Sequence, residues 1–154
     1  MPDTKVFEHR SVIPTTLDRM VAFHDDPKAL SRLTPPPPLM LMQVLRDDRT
    51  SLTEGELEFR LWFGFVPVRW VARHEPGPTP TSFMDRMLVG PMAVWEHQHI
   101  FRYVPGGVEL VDHITLAHKS GLPGVFTRLI FDGLPLKLLF VYRHWRTRRG
   151  TVIQ

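Results

Sequence analysis

The chain has 154 residues and no cysteine, so one domain suffices to bury a core, and disulfides, thiolate catalysis and zinc-finger chemistry are excluded. Any metal would have to be held by His, Asp or Glu. The formal net charge is only +3, with much of the excess in Arg143, Arg146, Arg148 and Arg149, where a solvated helix tail accounts for it and no nucleic-acid partner is expected.

Met1-Pro2-Asp3-Thr4-Lys5 passes directly into a polar, alternating segment, without the apolar core of a secretory signal. Val6 to Ile13 alternates with period two and stops at Pro14, which predicts a first strand. Thr15-Thr16-Leu17-Asp18 resembles a capping box, and Leu17, Met20, Val21 and His24 fall on one face of the helix it opens. Asp26-Pro27 starts a second short helix through Ala29, Leu30 and Leu33, since proline at the first helical position forfeits no hydrogen bond. Pro35 to Pro38 ends it and reads as a stiff connector.

Six strands follow. Leu39 to Arg46 is mostly apolar, Asp47 to Thr53 is a polar turn, and Glu56, Glu58 and Arg60 alternate with Leu57, Phe59, Leu61 and Phe63. Val68, Trp70, Ala72 and His74 share a face in the next strand, before a proline-rich loop from Glu75 to Pro80. Ser82 to Val89, Ala93 to Val104 and Val108 to Ala117 complete the set, separated by Gly90-Pro91-Met92 and Pro105-Gly106-Gly107. Gly121 to Gly124 punctuates the change to a long terminal helix over 125–149, with a kink or break expected at Gly133 and Pro135. No apolar run approaches the ~20 residues that span a bilayer, so no integral membrane segment is expected, and the whole suits a reducing cytoplasm.

The predicted class is α+β. A seven-stranded antiparallel sheet, with two short helices between its first and second strands, must bury one face, and only the terminal helix is long enough to cover it. A sheet curled around a straight rod leaves a cavity between them.

Trp95, His97, His99 and Phe101 share the inward face of one strand. Imidazoles on such a face need partners, which points to a cavity with polar points rather than a dry core. If Gly90-Pro91-Met92 is a three-residue hairpin loop, Asp85 falls opposite His97, and if Pro105-Gly106 is the next tip, Asp112 falls opposite His99. A tip at Gly106-Gly107 instead puts Asp112 opposite Phe101, with His99 diagonal. These four residues are the candidates for acid–base work, with carboxylates fixing the imidazole tautomers, or alternatively for satisfied buried pairs that fix register. They would also suit a divalent ion, but the carboxylate–histidine pairs account for them without one, so neither metal nor cofactor is called for.

Phe59, Phe63, Trp70, Phe83, Trp95 and Phe101 are the candidate ligand-contacting aromatics, unless they fill the cavity themselves. Met40, Met42, Met84, Met87 and Met92 would add adaptable walls. Tyr142, Arg143 and His144 either orient a ligand's carboxylate or phosphate or serve the helix C-terminus, and Tyr142 is kept with the binding set.

The order of elements, together with Ala29-Leu30-Ser31-Arg32-Leu33-Thr34-Pro35-Pro36, Gly55, Phe83-Met84-Asp85, Gly90-Pro91, Trp95-Glu96-His97-Gln98-His99-Ile100-Phe101 and Phe140-Val141-Tyr142-Arg143-His144, resembles the SRPBCC superfamily. This is the helix-grip fold of START lipid-transfer domains, the birch pollen allergen group and aromatic polyketide cyclases. The likeness is to its bacterial cyclase/dehydrase-type ligand-binding subgroup and spans residues 1–154 as a single domain. That subgroup also resembles a domain attached to nucleotide-sugar-epimerase-like reductases, although this chain has no glycine-rich phosphate loop after a strand.

The resemblance implies a cavity for a hydrophobic or aromatic small molecule and transfers no reaction. Binding or carriage is the first expectation, a polyketide cyclase/dehydratase-like enzyme the second, and an interaction module with a filled core the third. A homodimer is compatible with all three.

Overall fold

The computed structural model describes residues 2–152. The chain runs β1 (Lys5–Ile13), α1 (Leu17–Asp25), α2 (Ala29–Leu33), β2 (Leu41–Asp47), β3 (Gly55–Phe63), β4 (Val66–Pro76), β5 (Ser82–Val89), β6 (Met92–Val104), β7 (Gly107–His118), α3 (Gly121–Ile130) and α4 (Gly133–Thr151). All seven strands pair antiparallel in the order β1-β7-β6-β5-β4-β3-β2, so the first and last strands lie side by side where β1 joins β7.

Local chemistry accounts for most boundaries. The Thr16 side chain accepts a hydrogen bond from the Arg19 amide and caps α1. Asp26 accepts from the Lys28 amide and from Arg32, holding the turn into α2. Met20, Phe23 and His24 form the inward face of α1, whereas Val21, expected there, is exposed.

The terminal helix is broken rather than merely kinked. Phe131 ends α3, Asp132 caps α4 by accepting from the Gly133 amide, and Gly133 takes φ +52°, a left-handed conformation that disfavours a side chain. Pro135 then falls in the first turn of α4, where its missing N–H costs nothing. The first of these helices also starts earlier than expected, because Gly121 and Pro123 form its opening turn.

The outer face of the sheet carries Arg–Glu pairs across strands, including Arg69–Glu58, Arg86–Glu96 and Arg102–Glu109, and faces water. The inner face is covered by the helices. The larger core cluster, with Phe59, Trp70, Trp95, Phe131, Leu136 and Phe140, is closed by α3 and α4. A smaller cluster around Ile13, Met20, Phe83 and Phe101 lies at the α1 end. Gly150 permits α1 to approach α4, since a Cβ there would meet the Phe23 ring at 2.3 Å. Among the described residues, no helix is long and apolar enough to cross a membrane.

Candidate functional site

Strand alternation delivers Trp95, His97, His99 and Phe101 to the inner face, all buried, while Glu96 and Gln98 turn outward. Register puts Asp85 opposite His97 and Asp112 opposite His99. The hydrogen bonds nevertheless cross. His97 Nε2–H donates to Asp112 Oδ1 at 2.6 Å, and His99 Nε2–H donates to Asp85 Oδ2 at 2.6 Å. The directly opposite contacts are longer, 3.7 Å from His97 Nδ1 to Asp85 and 3.3 Å from His99 Nδ1 to Asp112. The expected Asp85–His97 and Asp112–His99 pairs are therefore exchanged, because register fixes Cα positions while an imidazole tip projects far enough to reach the diagonal neighbour of a twisted sheet.

A third imidazole comes from α4. Leu136, Phe140 and His144 form its buried stripe, which brings His144 over β7. His144 Nε2–H donates to Asp112 Oδ2 at 2.6 Å, and with that nitrogen protonated Nδ1 accepts from the Ser11 hydroxyl at 2.6 Å. Asp112 is thus buried among three imidazoles. Burial pushes its carboxyl upward, but hydrogen bonds from His144, His97 and His99 outweigh this and hold it well below the usual carboxylate range.

The two strand histidines diverge. Burial pulls His99 down, yet its contacts with Asp112 and Asp85 dominate and raise its pKa above that of an ordinary imidazole. Burial and then the neighbouring charge of His99 bring His97 down to about 4. Asp85 is lowered as well, since the attraction of His97 and His99 exceeds the cost of burial. With a carboxylate at each of its nitrogens, His99 is the more readily protonated of the two, while neutral His97 keeps a lone pair on Nδ1 and its Nε2–H serves Asp112.

Rings stack in a column across the strands. His74 lies 5.5 Å from Phe83, Phe83 4.2 Å from His99, and His99 3.7 Å from His97. His74 Nδ1–H donates to the Leu52 carbonyl, and His24 Nδ1–H donates to the Met20 carbonyl. Burial lowers both pKa values, that of His24 to about 3.

A cavity of about 120 Å³ lies between the inner face of the sheet and α2 and α4. Its apolar end is walled by Leu57, Phe59, Leu61, Trp70, Trp95 and Phe131. Its polar end holds Asp85, His97, His99, His24 and Arg143. Half-buried Thr34, Pro35, Met40 and Arg49 form the rim toward solvent.

Seven predicted residues meet here: Asp85, His97, His99, Phe59, Trp70, Phe83 and Trp95 all line the cavity. Asp112 stands one layer behind, reaching the cavity only through His97 and His99. Phe63 packs edge-on against Phe126 and Phe131, away from the opening, and Phe101 belongs to the cluster beneath α1. Strand rise explains the latter, since six residues at ~3.3 Å each carry Phe101 some 20 Å along the same face from Trp95. Tyr142 turns outward against Trp145. One helical residue is a rotation of ~100°, so it is the adjacent Arg143 that enters the cavity. Of the five methionines named as wall candidates, only Met40 lines it.

Sequence reasoning did not assign His24, His74 or Ser11 to the site, and it offered Arg143 and His144 only as alternatives between orienting a ligand's anion and serving the helix C-terminus. Spacing offered a signal for three of them: His24 follows Met20 by four on a helix, His144 follows Phe140 by four, and His74 alternates with Trp70 and Ala72.

Asp85, His97 and His99 each offer a ligand atom within 4.8 Å of the others. The His99 and Asp85 atoms are bonded to each other, so a cation entering there would have to displace the His99 proton.

No family model matches the sequence, and no curated protein matches it. Solved structures do match in fold. The nucleoside-diphosphate sugar epimerase from Corynebacterium glutamicum superposes with a TM-score of 0.66 at 24% identity, over 93% of this chain and 28% of that one. The Zhui aromatase/cyclase from a Streptomyces species gives a TM-score of 0.61 at 13% identity, over 96% of this chain and 91% of that one. Norcoclaurine synthase from Thalictrum flavum gives a TM-score of 0.66 at 9% identity, over 98% of this chain and 99% of the other. In these comparisons a seven-stranded antiparallel sheet with a long C-terminal helix laid across its inner face is shared at the level of fold, and the chain has a helix-grip fold.

Proposed function

We propose that this chain is a single SRPBCC-like domain of the cytoplasm that binds or carries a hydrophobic or aromatic small molecule between the sheet and α4. The observation that supports this reading is the division of one cavity wall into an aromatic end and a hydrogen-bonding end. Phe59, Trp70 and Trp95 would hold a ring by apolar contact and edge-to-face packing. His97 and His99 would orient it through polar atoms. A volume of about 120 Å³ is of the order that encloses one aromatic ring, with the remainder of a larger ligand passing the rim. An interaction module with a filled core would need no such division.

Native mass spectrometry tests the reading. A mass excess retained under gentle ionisation and lost on denaturation, either as purified or after incubation with aromatic compounds, is the expected result. A protein that stays at its bare mass throughout overturns it.

One observation favours a second reading, an acid–base enzyme of the cyclase/dehydratase kind. Two stacked imidazoles with opposite pKa shifts are suited to acid–base work, with His97 Nδ1 the open lone pair that would accept a proton and His99, held between Asp85 and Asp112, tuning it by its charge. Asp85 and Asp112 would position the rings. The names of the matched aromatase/cyclase and synthase are consistent with chemistry on this fold, but the fold hosts it without requiring it. His99→Ala separates the readings: turnover abolished with ligand affinity changed by less than about tenfold, or ~1.4 kcal/mol, favours catalysis.

A further inference from the structure

Arg143 is an ionised side chain on the cavity wall that has no hydrogen-bonding or ionic partner among the described residues. The other charged and titratable lining side chains each make at least one hydrogen bond. Arg49 makes two bonds to Asp47, His24 and His74 each donate to a carbonyl, and Asp85, His97 and His99 are bonded within their own network. The Arg143 guanidinium lies 5.3 Å over the Phe140 ring, which leaves its edges, where the N–H donors are, unused. Asp112 and Asp85 act on it only at longer range, and both already accept from histidines.

A partly desolvated guanidinium with free donors costs stability, and a planar anion repays that cost through two parallel N–H···O bonds. The apolar walls at the opposite end supply the complement. We propose that the cavity takes an aromatic or hydrophobic carboxylic acid, with its ring among Phe59, Trp70 and Trp95 and its carboxylate paired to Arg143. This rests on the ligand-binding reading above and adds the charge of the ligand to it. Arg143 is then the specificity-determining residue, since a neutral analogue leaves its donors unpaired.

Calorimetric or fluorescence titration with benzoate, cinnamate and naphthoate, each beside its own amide, tests the assignment. The acid of at least one pair is expected to bind about tenfold or more tightly than its amide, the ratio a charge-assisted pair supplies. Arg143→Gln is expected to erase that ratio by weakening the acid and leaving the amide within about threefold, and Arg143→Lys to retain part of it. A merely structural role for Arg143 would weaken acid and amide together, and that outcome overturns the proposal. Equal binding of acid and amide to the unaltered protein overturns it too, while leaving the cavity reading intact. Failure of every acid and every amide to bind overturns both.

Discussion

The rings of His97 and His99 stack 3.7 Å apart, two residues along one strand, yet one imidazole is pushed toward neutrality and the other toward charge. The cause is the pair of carboxylates. His99 faces Asp85 and Asp112 through its two nitrogens, whereas His97 has one short bond to Asp112 and the like charge of His99 beside it. Imidazole nitrogen shifts followed by NMR from pH 8 to pH 4 are expected to show His99 taking its proton at a higher pH than an ordinary histidine, and His97 remaining a neutral Nε2–H tautomer until about pH 4. A neutral His99 at pH 6 would contradict the network.

Stability should fall on acidification. An unfolded histidine binds a proton near pH 6.5, whereas folded His97 resists until about pH 4 and folded His24 until about pH 3. Between these values the unfolded state holds more protons, so stability rises with pH across that window and is lost as pH drops through it. His99 has the opposite sign: its contribution is complete below pH ~6.5 and is lost only as pH climbs through its raised value, so it does not rescue the acid side. Urea midpoints at pH 7 and pH 4.5 are expected to differ in favour of pH 7, by on the order of a few kcal/mol in extrapolated stability.

Asp112→Asn removes the negative charge shared by His97, His144 and His99 and turns one of its two accepting oxygens into an NH2 that faces an imidazole N–H. Loss of one member of a buried charged network costs ~3–5 kcal/mol, and His99 should titrate lower in the variant. Denaturant unfolding and the same NMR titration read both effects. An unchanged His99 would show that Asp85 alone sets its charge.

Phe131 sits at the break between α3 and α4, with ring contacts to Phe63, Trp70 and Trp95. Phe131→Ala should cost ~3–5 kcal/mol and enlarge the apolar end of the cavity. Thermal unfolding measures the first effect, and tighter binding of larger aromatic compounds the second.

Asp132 joins the helix break to the sheet by capping Gly133 and accepting from His118 and Lys5. Asp132→Ala removes an N-cap and a partly buried acceptor, and a loss of ~1–2 kcal/mol is expected. Hydrogen exchange should locate the loosening in the first turn of α4.

Much of the frame was legible in the residues. Period-two alternation marked the strands, and hairpin loops set the register that places Asp85 opposite His97 and Asp112 opposite His99. Gly133 and Pro135 marked the interruption between α3 and α4, because each acts through its own backbone. These are local properties, fixed by a residue and its near neighbours.

Which of those residues share one site was decided by the tertiary structure. His144 and Ser11 lie 133 positions apart and meet only because β1 closes on β7 beneath α4. The crossed Asp–His bonds depend on sheet twist, the exclusion of Phe63 and Phe101 on where along the strands α3, α4 and α1 settle, and the choice of Arg143 over Tyr142 on the rotation of one helix. Sequence periodicity sets which way a side chain faces relative to its own element. How the elements rotate and slide against each other is set by burying their apolar faces together, and that collective balance determines which polar groups end at the same cavity.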